Sequence, residues 1–257
     1  MKKYRYNSLT AFYRAAETCT EICDPQKFDY YKDQRDASYF TGLSRADILQ
    51  YKMSYPLGVE KLRHLADFEV EKDTKVRYYD SFDGYDINID RMMEGLDFLI
   101  NDKKVRKLPK TMDIFVNVSE NGSIDYEAML NKTYTALKVI DHLETLGVRT
   151  ALFACISGKT KHNGREKSKP FYIEVNVKNY ADSVNLGALC TAISPWFLRH
   201  WGFLFLTGHY KNLSDGLGHS VDLPFTEIPR NAITIDNRQC HTQSEANHFI
   251  SNLKLAS

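Results

Sequence analysis

The stretch MDIFVNVSENGSIDYEAMLNKTYTALKVIDHLETLGVRTALFACIS, residues 112–157, contains the clearest structural pattern of the chain. It begins with the apolar run MDIFVNVS, which is typical of a buried strand, and the turn ENGS follows. Apolar residues then recur at helical spacing from Tyr126 to Leu143, and Gly147 has the position of a helix C-cap. The apolar run VRTALFACIS is the next strand. Because a right-handed crossover would make the two strands parallel, this stretch predicts a β-α-β unit.

The residues that follow extend this unit. The strand-like run FYIEVNVKN (171–179) is joined to the preceding strand by one loop, which predicts an antiparallel pair. SVNLGALCTAIS (183–194) is predicted to form a helix, and WGFLFLTG (201–208) another buried strand. The order β-α-β-β-α-β is typical of a three-layer α/β sandwich. NAITIDN (231–237) then predicts a last strand, and Thr242 caps a last helix.

The N-terminal part of the chain, residues 1–74, is predicted to be a helical extension. Ser8 and Ser44 stand at N-cap positions before apolar residues with helical spacing, and Pro56 suits a first helical turn. We therefore expect one α/β domain over the whole chain, 1–257, with its core in residues 111–257.

Two further segments have weaker patterns. Residues 75–100 contain strand-like runs on either side of Asp83-Gly84, which is a strong hairpin signal, and then a short helix. Residues 212–229 are rich in glycine and proline and are predicted to be a connection without regular structure.

Composition limits the class of protein. The net charge is +1, with 43% hydrophobic and 26% charged residues, so attraction to nucleic acid would have to come from local clusters of charge. No apolar run is long enough to cross a membrane, so we expect no membrane contact. Five cysteines without a zinc-binding spacing indicate reduced thiols and a cytoplasmic location.

Positive charge is concentrated in three segments: KKYRY (2–6), KKVRKLPK (103–110) and KTKHNGREKSK (159–169). The third joins two predicted strands, so we expect an extended, self-repelling arm. Cations interleaved with aromatic rings are typical of proteins that bind single-stranded nucleic acid, because phosphates follow the charge and bases stack on the rings. The candidate residues are Tyr4, Arg5, Lys103, Lys104, Arg106, Lys107, Lys110, Lys159, Lys161, Arg165, Lys167 and Lys169.

The basic segments also fit two roles that do not involve nucleic acid. Lysine-rich hairpin loops discourage edge-to-edge pairing of strands and so keep a protein in solution without binding anything. An acidic protein partner would fit the same charges, and the acidic segments 66–73 and 80–97 of the chain itself could pair with them. The sequence leaves both roles open.

The chain lacks the common catalytic patterns, including G-x-x-x-x-G-K-[ST], G-x-S-x-G and H-E-x-x-H. We therefore expect a non-enzymatic binding protein without a cofactor or a bound metal. The alternative is an enzyme whose site lies at the ends of the core strands. The candidates for such a strand-end site are Asn117, Ser119, Ser123 and Thr207.

The order of elements, together with the residues after the first core strand, resembles the von Willebrand factor A fold. In that fold an Asp-x-Ser-x-Ser motif holds magnesium and thereby grips acidic partners. Here Ser119 matches, Asn117 replaces the aspartate, Asn121 replaces the second serine, Ser123 is displaced, and Thr207 stands where a later strand supplies ligands. The resemblance implies a degenerate metal site on a protein-interaction module, with a polymerase or host factor as partner. A homo-oligomer also stays open.

The chain also resembles an uncharacterised family of phage-encoded proteins that is classed as a domain of unknown function. The resemblance lies in YFTGLSRADILQYKMSYPLG, DGYDINIDRMMEGLDFL, ALKVIDHLETLGVRTAL and VNVKNYADSVNLGALCTAISPWFLRHWGF, between Tyr39 and Phe205. It implies a phage or mobile-element origin, and with it the cytoplasm of the host cell. It assigns no catalytic residue.

Overall fold

The structure of the protein is a computed structural model that describes residues 1–19, 22–23, 25–33, 38–65, 76–80, 86–103, 111–164 and 167–253. The chain divides into two compact units. The larger unit combines Met1–Asp67 with Thr111–Ser257, and the smaller unit is Phe68–Lys110. The N-terminal helical segment therefore belongs to the same unit as the α/β core, whereas the predicted hairpin and short helix fall in the smaller unit.

Strands occur in both units. In chain order the strands of the described residues are β1 (Lys2–Tyr6), β2 (Val76–Asp80), β3 (Asp86–Ile87), β4 (Leu99–Lys103), β5 (Thr111–Asn117), β6 (Arg149–His162), β7 (Pro170–Lys178), β8 (Leu213–Ser220) and β9 (Ile233–Ile235).

The helices begin largely where the sequence predicts them. Side chains of Ser8, Ser44, Asp125 and Thr242 each accept a hydrogen bond from the backbone of the first helical turn, and Thr242 does so within a capping box. The helices are α1 (Leu9–Glu17), α2 (Pro25–Asp33), α3 (Ser38–Thr41), α4 (Arg45–Gln50), α5 (Pro56–Leu65), α6 (Ile89–Met93), α7 (Tyr126–Thr145), α8 (Leu186–Ala192), a π-helix (Phe197–Gly202), α9 (Phe203–His209) and α10 (Gln243–Asn252).

The larger unit is built on a sheet with the strand order β1-β7-β6-β5-β9, and β8 pairs with the far end of β6. The β5-α7-β6 unit has the predicted parallel pairing, and β6 and β7 form the predicted antiparallel pair. β1 and β9 each add a parallel strand at one side. The predicted α/β class is confirmed as a mostly parallel sheet flanked by helices.

The two faces of the sheet are covered differently. Along β5, Ile114 and Val116 belong to the large core cluster that contains the helices, whereas Phe115 between them belongs to a small second cluster. Among the described residues, side chains from the segment 221–232, here called the strap, complete the second cluster, which contains no helix. The strap therefore takes the place of the third layer that the sequence predicts.

The prediction of a strand over WGFLFLTG (201–208) is wrong. These residues complete the π-helix and form α9. A short apolar run fits a buried strand and a fully buried helix equally well, and here it is buried nearly all round. Thr207 consequently lies within a helix, where its hydroxyl donates to the carbonyls of Phe203 and Leu204 at 3.1 and 2.9 Å. It is not at a strand end.

Two other segments form strands that the sequence did not predict. The N-terminal KKYRY is β1, and residues 213–220 of the predicted connection form β8. A Cβ atom on Gly218 would lie 2.4 Å from the carbonyl oxygen of Lys159, so glycine allows β8 to approach β6 closely.

The smaller unit contains a sheet with the order β2-β4-β3. The predicted hairpin is therefore wrong, because β2 and β3 do not pair with each other and β4 lies between them. The Asp83-Gly84 turn itself falls outside the described residues. The short helix predicted after it is α6, which Asn88 caps.

Candidate functional site

Lysines of the third basic segment lie on a strand and not on a loop. β6 continues to His162, so Lys159 and Lys161 both lie on this strand. Lys159 pairs with Pro170 of β7 and His219 of β8, and the register with β8 shifts between Thr160 and His162. Both lysines are exposed, whereas Thr160 between them is buried. Thr160 Oγ1 lies 2.6 Å from His162 Nε2, so these two side chains share one face of β6. Lys159 and Lys161 therefore lie on the opposite face, the strap side, with their Cα atoms about 6.6–6.8 Å apart. Among the described residues neither lysine makes an ion pair.

Backbone contacts hold the hairpin that follows. The amide of Thr160 donates to the carbonyl of Lys169 at 2.9 Å, and the amide of Lys169 donates to the hydroxyl of Thr160 at 3.1 Å. The amide of Asn163 donates to the carbonyl of Asn212 at 2.8 Å. Lys167 is exposed, and Arg165 lies outside the described residues. The expected extended arm is thus, in its described part, a hairpin fastened to β8.

The first basic segment is neutralised in part. Lys3 and Arg5 lie on the strap side, where Glu227 pairs with Lys3, and Arg5 lies 3.5 Å from Glu174 and 3.9 Å from Glu227. Tyr4 points to the helical side, with its ring centroid 4.8 Å from that of Phe205. Its ring is therefore part of the core packing.

The remaining candidates for nucleic-acid binding have no described side chain. Lys103 is the last residue of β4 in the smaller unit, and only its backbone is described. Lys104, Arg106, Lys107 and Lys110 lie outside the described residues. Of the aromatic residues near the N-terminus, Phe12 and Tyr13 are fully buried and have no face to offer to a base.

An exposed ring was missed by sequence reasoning. Phe225 of the strap is 83% exposed. It lies two residues before Glu227, the acid that contacts Lys3 and Arg5, so it stands on the same side of the sheet as the lysines. No local pattern reveals it, because a single phenylalanine in a Gly/Pro-rich segment does not show whether the fold buries it.

The predicted strand-end residues are only partly brought together. Asn117 donates through its side-chain nitrogen to the Val221 carbonyl at 2.9 Å and to the Asp236 carboxylate at 2.8 Å, and its oxygen accepts the amide of Ser119 at 3.0 Å. The hydroxyl of Ser119 accepts the amide of Ser157 at 2.7 Å. These groups tie the end of β5 to the strap and to β6.

A buried ion pair lies behind them. Lys132 of α7 is fully buried and donates to the Glu120 carboxylate and to the carbonyls of Asn117 and Asp236 at 3.1 and 2.9 Å. Burial lowers the pKa of Lys132, but three acceptors favour its charged form. Burial would raise the pKa of Glu120, yet contact with His241 and the charge of Lys132 outweigh it and hold that pKa below its usual value.

A cleft opens at the end of β5, where β6 continues past it. It encloses about 440 Å³ between the β6 extension, the loop after β5 and the helical layer. Its lining includes Ser119, Glu120, Arg199, His219 and Arg238, whereas Thr207 does not line it and Ser123 stands exposed in a turn.

Two features of the described residues bear on other classes of protein. No three His, Cys, Asp or Glu side chains are grouped there so that they could hold a metal ion. No helix within the described ranges has the length and apolar character needed to span a membrane.

A family model for a domain of unknown function, DUF7192, matches residues 2–256. The chain belongs to this family. Comparisons with curated proteins and with solved structures gave no match. The predicted membership of a family classed as a domain of unknown function is thus confirmed.

Proposed function

We propose that the protein binds single-stranded nucleic acid on the strap side of its sheet, without catalysing a reaction. The observation that carries the proposal is the combination, on one side of the sheet, of two lysines without ion pairs among the described residues and an aromatic ring that is 83% exposed. Lys159 and Lys161 would neutralise phosphates, and Phe225 would stack on a base.

The arrangement favours a single strand over a duplex. A ring on an open surface gains contact area only from a base whose face is free, and the bases of a duplex are already stacked on each other. The strands of the sheet also space charges regularly, since Lys159 and Lys161 are two residues apart on β6. Neighbouring backbone phosphates of an extended strand could meet them in turn.

The net charge of +1 fits a local site and not a general attraction to polyanions. With about three phosphate contacts, from Lys159, Lys161 and Lys167, log Kd would change with log salt with a slope of about 2. Affinity should therefore be moderate and strongly dependent on salt.

The test is fluorescence anisotropy of a labelled single strand of about 30 nucleotides, a length above typical site sizes. The protein is compared with the double variant Lys159→Ala/Lys161→Ala across a salt series. The control is Lys61→Ala/Arg63→Ala on α5, which removes the same charge from exposed helical positions.

We expect the β6 variant to bind more weakly and to lose about 1.4 from the salt slope, about 0.7 for each lysine. The control should bind like the unmodified protein. Equal losses in both double variants would show that only net charge matters, and an absence of binding at low salt would refute the proposal.

A second candidate function follows from the resemblance to the von Willebrand factor A fold. In that case the protein is a degenerate module of this type that binds a polymerase or host factor. Ser119 matches the metal-binding motif and Asn117 replaces its aspartate. Their side chains bind Val221, Asp236 and Ser157, which supports the degenerate form. A phage origin stays a prediction.

A further inference from the structure

The smaller unit exposes an unusual amount of apolar surface in one short segment. Elsewhere in the described residues, exposed large apolar side chains are spaced more widely, and the densest group is Leu49, Met53 and Leu57. Within residues 87–96, in contrast, there are five, and their exposed fractions are 51% for Ile87, 67% for Ile89, 52% for Met92, 82% for Met93 and 46% for Leu96. Contiguous apolar surface of this kind on a folded protein commonly marks an interaction site.

The spacing of these residues gives the surface a shape. Ile89, Met92 and Met93 follow one another at i, i+3 and i+4, the spacing of one helix face, and Leu96 follows just beyond the end of the helix. α6 supplies the first three, and the chain turns at Gly95, which has a φ of +70°. We call these four residues the apolar stripe. Such a stripe is the complement of a similar seam on another helix.

Acidic residues stand beside the stripe. Asp90 of α6 and Glu94, the C-cap of that helix, lie one position further along the chain than Ile89 and Met93. The base among residues 87–98 is Arg91, whose Nε donates to the carbonyl of Asp97 at 2.8 Å. Asp90 and Glu94 make no ion pair among the described residues. The stripe therefore has a negatively charged flank.

The unit is too small to bury these side chains itself. It comprises Phe68–Lys110, and Ile100 is the buried side chain of its residues 87–100. Domains of this size rarely bury enough apolar surface to be stable without a further element. Methionine suits a surface that adapts to a partner, because its side chain is unbranched and flexible.

We propose that the apolar stripe is the docking site for a helix of a partner protein that carries an apolar seam and a basic flank. The acidic flank favours a basic partner helix over a second copy of the chain. A symmetric pairing of two stripes would bring Asp90 and Glu94 of both copies together, and these like charges repel. The stripe belongs to the smaller unit and the lysines of β6 to the larger one, so this proposal does not rest on nucleic-acid binding.

The experiment uses the full chain and two synthetic helical peptides with leucine at i, i+3, i+4 and i+7. One peptide has lysine at the flanking positions, and the other has glutamate. Binding is measured by fluorescence anisotropy of the labelled peptides at several salt concentrations. The test variant is Met93→Glu, and the control is Leu146→Glu, which also replaces an exposed apolar residue, but in the larger unit. Circular dichroism checks that both variants are folded.

We expect the lysine peptide to bind at least ten times more tightly than the glutamate peptide. Met93→Glu should weaken that binding at least tenfold, and Leu146→Glu should leave it unchanged. Equal binding of both peptides, or equal effects of both variants, would overturn the proposal. A failure of both peptides to bind would overturn it too. A concentration-dependent dimer that Met93→Glu abolishes would instead make a second copy the occupant.

Discussion

Replacing Lys132 by methionine tests the role of the buried ion pair behind the end of β5. Methionine has a similar length but no charge, so it leaves the Glu120 carboxylate buried and the carbonyls of Asn117 and Asp236 without their donor. Removal of one partner from a buried pair commonly costs about 3–5 kcal/mol in the free energy of unfolding. We expect a loss in that range, which is a large share of the total stability of a typical domain.

The pH dependence gives this prediction a sign. In the unmodified protein the pKa of Glu120 is lowered, so its contribution to stability is present above the ordinary pKa of a glutamate and is lost as pH falls through the folded value. In Lys132→Met, burial without the lysine should raise that pKa. Protonated Glu120 then carries no uncompensated charge, and the difference between variant and unmodified protein should shrink as the pH approaches 4.

Urea denaturation followed by circular dichroism, at pH 7 and pH 4.5, measures both effects. The double variant Glu120→Gln/Lys132→Met is the control, because it removes both charges and should be more stable than Lys132→Met at pH 7. A loss below about 1 kcal/mol for Lys132→Met, or a double variant that is no more stable than Lys132→Met at pH 7, would refute the reasoning.

Three further outcomes follow from single contacts. Phe225→Ala should weaken binding of single-stranded nucleic acid by about 1–3 kcal/mol with an unchanged melting temperature, as anisotropy and thermal denaturation can show; an unchanged affinity would remove the ring from the site. Burial, with the nearby charges of Arg45 and Lys52, lowers the pKa of His200 to about 4, so the free energy of unfolding should fall by about 2 kcal/mol between pH 7 and pH 5. His200→Gln should remove that fall in urea denaturation, and a fall of equal size in the variant would contradict it. Gly58→Ala should destabilise the fold by about 1–3 kcal/mol, because its Cβ would lie 2.2 Å from the Tyr126 hydroxyl, and a melting temperature unchanged within error would show that the site yields.

The sequence was most informative where the period of apolar residues was long. α7 has 20 residues, several helical turns on which a period can be recognised, and the β5-α7-β6 unit formed as predicted. The run WGFLFLTG (201–208) has no such length, and burial on all sides removes the polar positions that would show its period. β8 was missed because its glycine-rich composition is that of a loop, although Gly218 serves a close strand contact.

The candidate sites were harder to predict because they depend on what the fold covers. The lysines of β6 were found from charge alone, but their fixed position on a strand depends on pairing with β8, a distant segment. Tyr4 and Phe225 show that local sequence does not reveal whether the fold buries or exposes an aromatic ring. One lies in a basic segment and packs into the core, and the other lies in a segment without a clear pattern and is exposed.

β6 extends beyond the end of β5, since the pairing of these strands ends at Asn117 and Cys155 while β6 continues to His162. In the part of β6 beyond Cys155, Gly158 lines the cleft and the next residue, Lys159, is exposed on the strap side. A molecule bound in the cleft would therefore contact the residue next to Lys159 on the same strand. The cleft and the strap side meet at adjacent residues of β6, and we expect occupation of either surface to be detectable at the other.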